Sequence, residues 1–165
     1  MLLKNTAKSA LIAFVMFAAN AALAEGTSVA FGGLKADTTL PVEVNADSLV
    51  VNQKDGNAIF SGNVLVVQGE MRMTANEIRV EYSADGKGIN KLFATGKVLL
   101  VSATDAAEAD EAVYTIATGE VVLTGGVLLT QGKTAIAAER MVIDLVAGTG
   151  RMEGRVSTTF VPEGN

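Results

Sequence analysis

Ala75-Asn76-Glu77-Ile78-Arg79-Val80-Glu81-Tyr82 is the stretch that decides the fold. From Ile78 onward apolar and charged side chains alternate. That period of two puts Ile78, Val80 and Tyr82 on one side of an extended strand and Arg79 and Glu81 on the other. Its opening four residues recur as Ala46-Asp47-Ser48-Leu49, Ala109-Asp110-Glu111-Ala112 and Ala138-Glu139-Arg140-Met141. Each copy is followed by a second large residue: Val51, Val80, Tyr114 and Ile143. A Gly-x-Val element recurs beside it, at Gly62-Val64, Gly96-Val98, Gly125-Val127 and Gly154-Val156. The distance from signature Ala to Gly is 16, 21, 16 and 16 residues, and the long spacing holds the loop from Ser83 to Gly88. Gln68-Gly69 and Gln131-Gly132 form a third recurring element. The unit is about 29 residues, two strands and two turns, present about four times.

Stacked, twisted strand pairs of this kind predict an all-β, elongated, slightly twisted open jelly roll. Glycine recurs where a tight corner or a close neighbouring backbone excludes a Cβ. The inward rows are expected to include Leu49, Val51, Phe60, Val64, Val66, Met73, Ile78, Val80, Tyr82, Phe93, Val101, Tyr114, Ile116, Met141 and Ile143. Ala106 to Ala112 has helical composition, but the repeat reads it as strand. A row so rich in aliphatic residues and Met suits either a plain core or flexible acyl chains, and a roll open along one seam would be an apolar trough.

Ahead of the repeats, Lys4 and Lys8 precede a short apolar run, and Ala22-Leu23-Ala24 supplies small residues at a cleavage site. Residues 1–24 therefore read as an export signal cleaved after Ala24, with 25–165 as one domain in the periplasm. Without Lys4 and Lys8 the chain has 11 basic against 18 acidic residues. That balance argues against nucleic acid as a partner. There is no Cys and no His, which removes disulfides, most transition-metal sites and imidazole-based catalysis. No cofactor is expected. The remaining carboxylate pairs do not suggest an enzyme: adjacent Asp110 and Glu111 should point to opposite faces, and Glu77 and Glu81 share a face without a pocket.

Pro41-Val42-Glu43-Val44-Asn45-Ala46-Asp47, Phe60-Ser61-Gly62-Asn63-Val64, Gln68-Gly69 and Ala75-Asn76 resemble the OstA-like/LptA N-terminal domain family, and Val121-Val122-Leu123-Thr124-Gly125 matches its second half. The resemblance runs from about Leu40 to Val161. It implies a periplasmic carrier that holds lipopolysaccharide acyl chains in a hydrophobic groove while the sugars stay in water. It also implies head-to-tail self-association, and partners that are an LptC-like inner-membrane protein and an LptD-like outer-membrane protein. The family's lipid-facing positions fall on Val42, Val44, Tyr114 and Ile116, with Val101 a weaker match. The inward rows add Val51, Val64, Val66, Val80 and Ile143 to the expected lining. Arg72, Arg79, Lys97, Lys133 and Arg140 are the cations available at the groove mouth for ligand phosphates, or else form a solvated face. Two other readings stand beside the carrier. One is a structural β-repeat scaffold with a filled interior; the other is an LptC-like sibling with a retained membrane helix.

Overall fold

Eleven strands form one antiparallel sheet in the computed structural model, which describes residues 27–160 apart from 31, 53 and 55. The expected signal, residues 1–24, lies outside them. The strands are β1 (Thr27–Ala30), β2 (Glu43–Asn45), β3 (Ser48–Asn52), β4 (Asn57–Gln68), β5 (Met71–Tyr82) and β6 (Ile89–Ser102). They continue with β7 (Asp105–Thr115), β8 (Glu120–Gln131), β9 (Thr134–Asp144), β10 (Thr149–Glu153) and β11 (Ser157–Phe160). Neighbours in sequence are neighbours in the sheet from β4 to β10, while β1 joins β10, β2 and β3 both join β4, and β11 joins β9. Ala106 to Ala112 is strand, as the repeat requires.

The sheet folds back on itself. Tyr114 Oη donates a hydrogen bond to Gln68 Oε1 at 2.5 Å. Through the registers Gln68↔Met71, Arg72↔Val101 and Ser102↔Asp105, Gln68 is level with Asp105. Tyr114 lies nine residues further along β7, which in a flat sheet is roughly 30 Å away. The bond forms because each long strand bends midway, bringing its two halves face to face. The bends fall at the register shifts between Ser61/Val64, Thr74/Glu77, Thr95/Val98, Glu108/Glu111 and Thr124/Val127.

Both repeated signatures are the chemistry of that bend. In Ala75-Asn76-Glu77-Ile78 the alternation breaks: Ala75 and Ile78 are buried, and the two polar residues between them are both exposed. Ala109/Ala112 and Ala138/Met141 do the same. Asp110 and Glu111 are therefore both exposed, not on opposite faces as plain alternation implies, because a bulge lies between them. The Gly-x-Val glycine takes the other side of the corner. Gly62 has φ +80, and a Cβ there would lie 2.6 Å from Asp47 Oδ2. Asp47 N donates to Gly62 O (2.9 Å), and Asn63 Nδ2 donates to Asp47 Oδ2 (2.8 Å). Asn76 against Gly96, Asp110 against Gly125 and Glu139 against Gly154 repeat the arrangement. Each repeat is thus a hairpin whose first strand sets a polar side chain under the bend of its second.

The five-residue insertion closes on itself. Ser83 N donates to Gly88 O, Gly86 N to Ser83 O, and Lys87 N to Asp85 Oδ1. Hydrogen bonds from Ser83 and Lys87 hold the Asp85 carboxyl below its usual range.

Candidate functional site

Facing halves enclose one apolar interior. Val64, Val66, Met71, Met73, Ile78, Val80, Leu92, Leu100, Tyr114, Leu123, Met141 and Ile143 all belong to a single buried cluster. The expected lining residues Val64, Val66, Val80, Tyr114 and Ile143 are in it, and Val42, Val44 and Ile116 are half-buried against it. Three placements differ from expectation. Tyr82, the last residue of β5, is 40% exposed. Val101 faces outward, because its neighbours Leu100 and Ser102 are the buried ones. Phe93 faces outward for the same reason, between buried Leu92 and Ala94. Both lie on β6, whose buried positions Leu92, Ala94, Val98, Leu100 and Ser102 keep one parity straight through Gly96.

Val51 keeps the inward register, through Val51↔Ala58, but is 59% exposed, and Leu49, opposite Phe60, is 52% exposed. They sit on an end strand with a neighbour on one side only. The interior row therefore reaches the surface uncovered at this end. Phe160 on β11 is 71% exposed at the other.

The interior is otherwise filled. Burial of the Tyr114 phenol pushes its pKa from 10.0 to about 12. Gln68 and Tyr114, each beside a turn at the end of its strand, touch where the two halves meet.

Where the two halves of the sheet meet edge to edge there is a seam. Its upper rim is made by turns 69–70, 103–104 and 132–133, and its lower rim by turns 83–88, 116–119 and 145–148. Residues 32–42 run between the rims. The strap begins as a 3-10 turn, Gly32–Leu34. A Cβ on Gly33 would lie 2.8 Å from Asp105 Cγ on the upper rim, and Ala36 N donates to Leu145 O on the lower rim at 3.0 Å. Three residues of chain reach about 10 Å, which bounds the gap. Gln68 Nε2 then donates to Thr38 O (3.0 Å) and Leu40 O (2.9 Å). Leu34, at 0% exposure, plugs the seam. Sequence reading did not single out this strap, since it carries no period. Its one visible signal is Leu34, set among small and polar residues from Gly32 to Thr39.

Two expected mouth cations are engaged elsewhere. Arg79 stacks 3.9 Å over Phe93 on the outer face, near Glu81 at 3.9 Å. Arg140 pairs with Glu153, which also takes Arg151 (2.7 Å). The hydrogen bonds from Arg140 and Arg151 hold the Glu153 carboxyl below its usual range. Arg72, Lys97 and Lys133 are exposed.

Residues 43–149 match the family model described as LptA/(LptD N-terminal domain) LPS transport protein. An uncharacterized protein of Rhizobium meliloti is 29% identical over 156 residues, 88% of this chain and 84% of the relative. The lipopolysaccharide export system protein LptH of Pseudomonas aeruginosa is 27% identical over 158 residues, 90% of this chain and 88% of that protein. The LPS-assembly protein LptD of Yersinia enterocolitica shares 40% identity over 62 residues, 36% of this chain but 8% of that protein. The crystal structure of Pseudomonas aeruginosa LptH, described as the LptA homologous periplasmic component of the lipopolysaccharide transport device, superposes with a TM-score of 0.68 at 20% identity. It covers 77% of this chain and 99% of that one. The open jelly roll expected from the repeats is therefore the fold observed.

Proposed function

Because the chain belongs to the LptA/(LptD N-terminal domain) LPS transport protein family, we propose that it is a periplasmic carrier which shelters lipopolysaccharide acyl chains in its folded-sheet interior. The observation that carries this reading is the apolar row that crosses every repeat and emerges uncovered at Leu49 and Val51. An end strand has a neighbour on one side only, so the uncovered row is available to be continued by a neighbouring molecule, and burying acyl chains stabilises the cargo by about 0.8 kcal/mol per methylene. In this reading no bond is made or broken, so the protein is not an enzyme. The lining is Val42, Val44, Val51, Val64, Val66, Val80, Tyr114, Ile116 and Ile143. LptC-like and LptD-like jelly rolls, or further copies of this chain, continue the row at the exposed ends by strand addition.

The filled interior is what favours a static β-repeat scaffold instead. A photo-crosslinking scan in intact cells separates the two. A reactive side chain at Val44 or Ile116, both against the interior, is expected to capture lipopolysaccharide, and one at outward Arg79 is not. A folded, exported protein with no adduct at any position would remove the carrier reading and leave the scaffold.

A further inference from the structure

We propose that residues 32–42 are a displaceable strap, and that the seam beneath Leu34 is the port by which an acyl chain enters the interior. The inference rests on the carrier reading and adds the place of entry and what guards it.

The strap has the dimensions of a closure. β1 lies beyond β10 at one end of the stack, and β2 beside β4 at the other. The segment joins β1 to β2, and its contacts run along the seam from Gly33 at Asp105, which opens β7, to Leu40 at Gly69, which follows β4. Those strands are three inter-strand steps apart, roughly 14 Å at the usual spacing, which the chain from Gly33 to Leu40 covers without full extension.

Its attachment is light. Among the described residues, three hydrogen bonds tie it to the rims: Ala36 N to Leu145 O, and the Gln68 side chain to the carbonyls of Thr38 and Leu40. The strands beneath are held by continuous ladders. The groups under the strap are also suited to meeting water. Among the described residues, Ser102 Oγ is buried with no hydrogen-bond partner, and Asp105, 5% exposed, accepts from the neutral donors Gln131 Nε2 at 2.8 Å and Thr104 Oγ1 at 3.2 Å. Lifting the strap hydrates both, which offsets part of the cost of exposing Leu34.

One residue couples the strap to the interior. Gln68 gives both amide hydrogens to strap carbonyls and its oxygen to Tyr114, the bond that ties the facing halves together. Releasing the strap frees the Gln68 amide to turn, so the port and the Gln68–Tyr114 contact across the seam open together. Leu34 is a branched hydrocarbon already seated in the seam; an acyl chain entering there exchanges like for like.

A disulfide tests this in the whole protein, which has no cysteine of its own. Gly33 does not sit at positive φ, and a Cβ there would lie 2.8 Å from Asp105 Cγ. A cystine holds Cβ and the opposite sulfur about 3 Å apart, so Gly33→Cys with Asp105→Cys should bridge and lock the strap down. The probe is fluorescently labelled lipopolysaccharide. The oxidised double variant is expected to bind at least tenfold more weakly than the same protein reduced, with full recovery on reduction. Equal binding by both forms overturns the strap while leaving the carrier reading intact. If the unsubstituted protein binds no probe, the carrier reading itself fails and the port falls with it. Leu34→Ala, which needs no disulfide, gives the second measurement. Uptake at least threefold faster supports the port; a lower melting temperature with unchanged or slower uptake assigns Leu34 to the core alone and overturns it.

Discussion

Replacing Gly125 by alanine, and separately Gly126 by alanine, tests whether the bends are locked by what lies beneath them. The two residues are adjacent and both left-handed, at φ +83 and +58. At Gly126 a Cβ meets nothing within 4 Å, so Gly126→Ala carries only the backbone cost of about 1–2 kcal/mol. At Gly125 the Cβ would lie 2.7 Å from both Cβ and Oδ2 of Asp110. The carboxylate can swing away, but Asp110 Cβ is fixed to its strand, so the hairpin must open slightly, adding about 1–3 kcal/mol. The expected difference between the variants is thus about 2 kcal/mol, or roughly 6–8 °C in melting temperature for a domain of this size. Urea denaturation followed by far-ultraviolet circular dichroism measures it, with the slope checked for constancy. Adding Asp110→Gly to Gly125→Ala removes the obstructing atom and should recover the steric part only. Equal midpoints for the two single variants would refute the lock and reduce the repeated Gly to a turn residue.

Two further outcomes follow from the interior and its ends. Tyr114 is neutral when protonated, and its folded pKa of about 12 exceeds the ordinary 10.0. Its contribution is therefore complete below pH 10 and lost as pH rises towards 12, about 2–3 kcal/mol in all. Tyr114→Phe should cost about 1–2 kcal/mol at neutral pH by orphaning Gln68 Oε1, yet flatten the alkaline limb of the stability profile; parallel profiles for the two proteins would contradict this. Leu49→Lys with Val51→Lys should abolish any concentration-dependent association seen by sedimentation, at a folding cost under about 1 kcal/mol, since both side chains are already more than half exposed. Unchanged association would move the joining surface elsewhere.

The strand pairs, their order and their corners were legible because each demands a particular residue. Ala is needed where a bent strand turns inward, and Gly where an Asp, Asn or Glu side chain beneath it fills the space of a Cβ. Val101 and Phe93 misled because both share the outward parity of β6, which runs unbroken through Gly96, and nothing in a run of four apolar residues such as Val98-Leu99-Leu100-Val101 marks which side is covered. Val51 has the right register, but exposure depends on how many neighbours a strand has, which its own residues do not encode. The strap was illegible because its fold is imposed by two rims far away in sequence, Asp105 and Leu145. Gln68 stood out as a repeated element, yet its partners Thr38, Leu40 and Tyr114 lie 30, 28 and 46 residues away.

Each hairpin sets its polar side chain on its first strand and its glycine on its second, so the stack has a direction. One end of the molecule has the strand that supplies the polar side chain, β2 with β3, and the other has the strand that receives it, β10 with β11, with β1 paired beyond β10. Both outer strands break in two at the corner level, at Ala46-Asp47 and Gly154-Arg155, where a bend with support on one side only cannot stay continuous. A further unit can extend the alternation in a single orientation. Turned around, it would set acid against acid or glycine against glycine. Polarity along the stack is thus written into every unit, and a row of such molecules would have a front and a back, as a track needs if traffic along it is to have a sense.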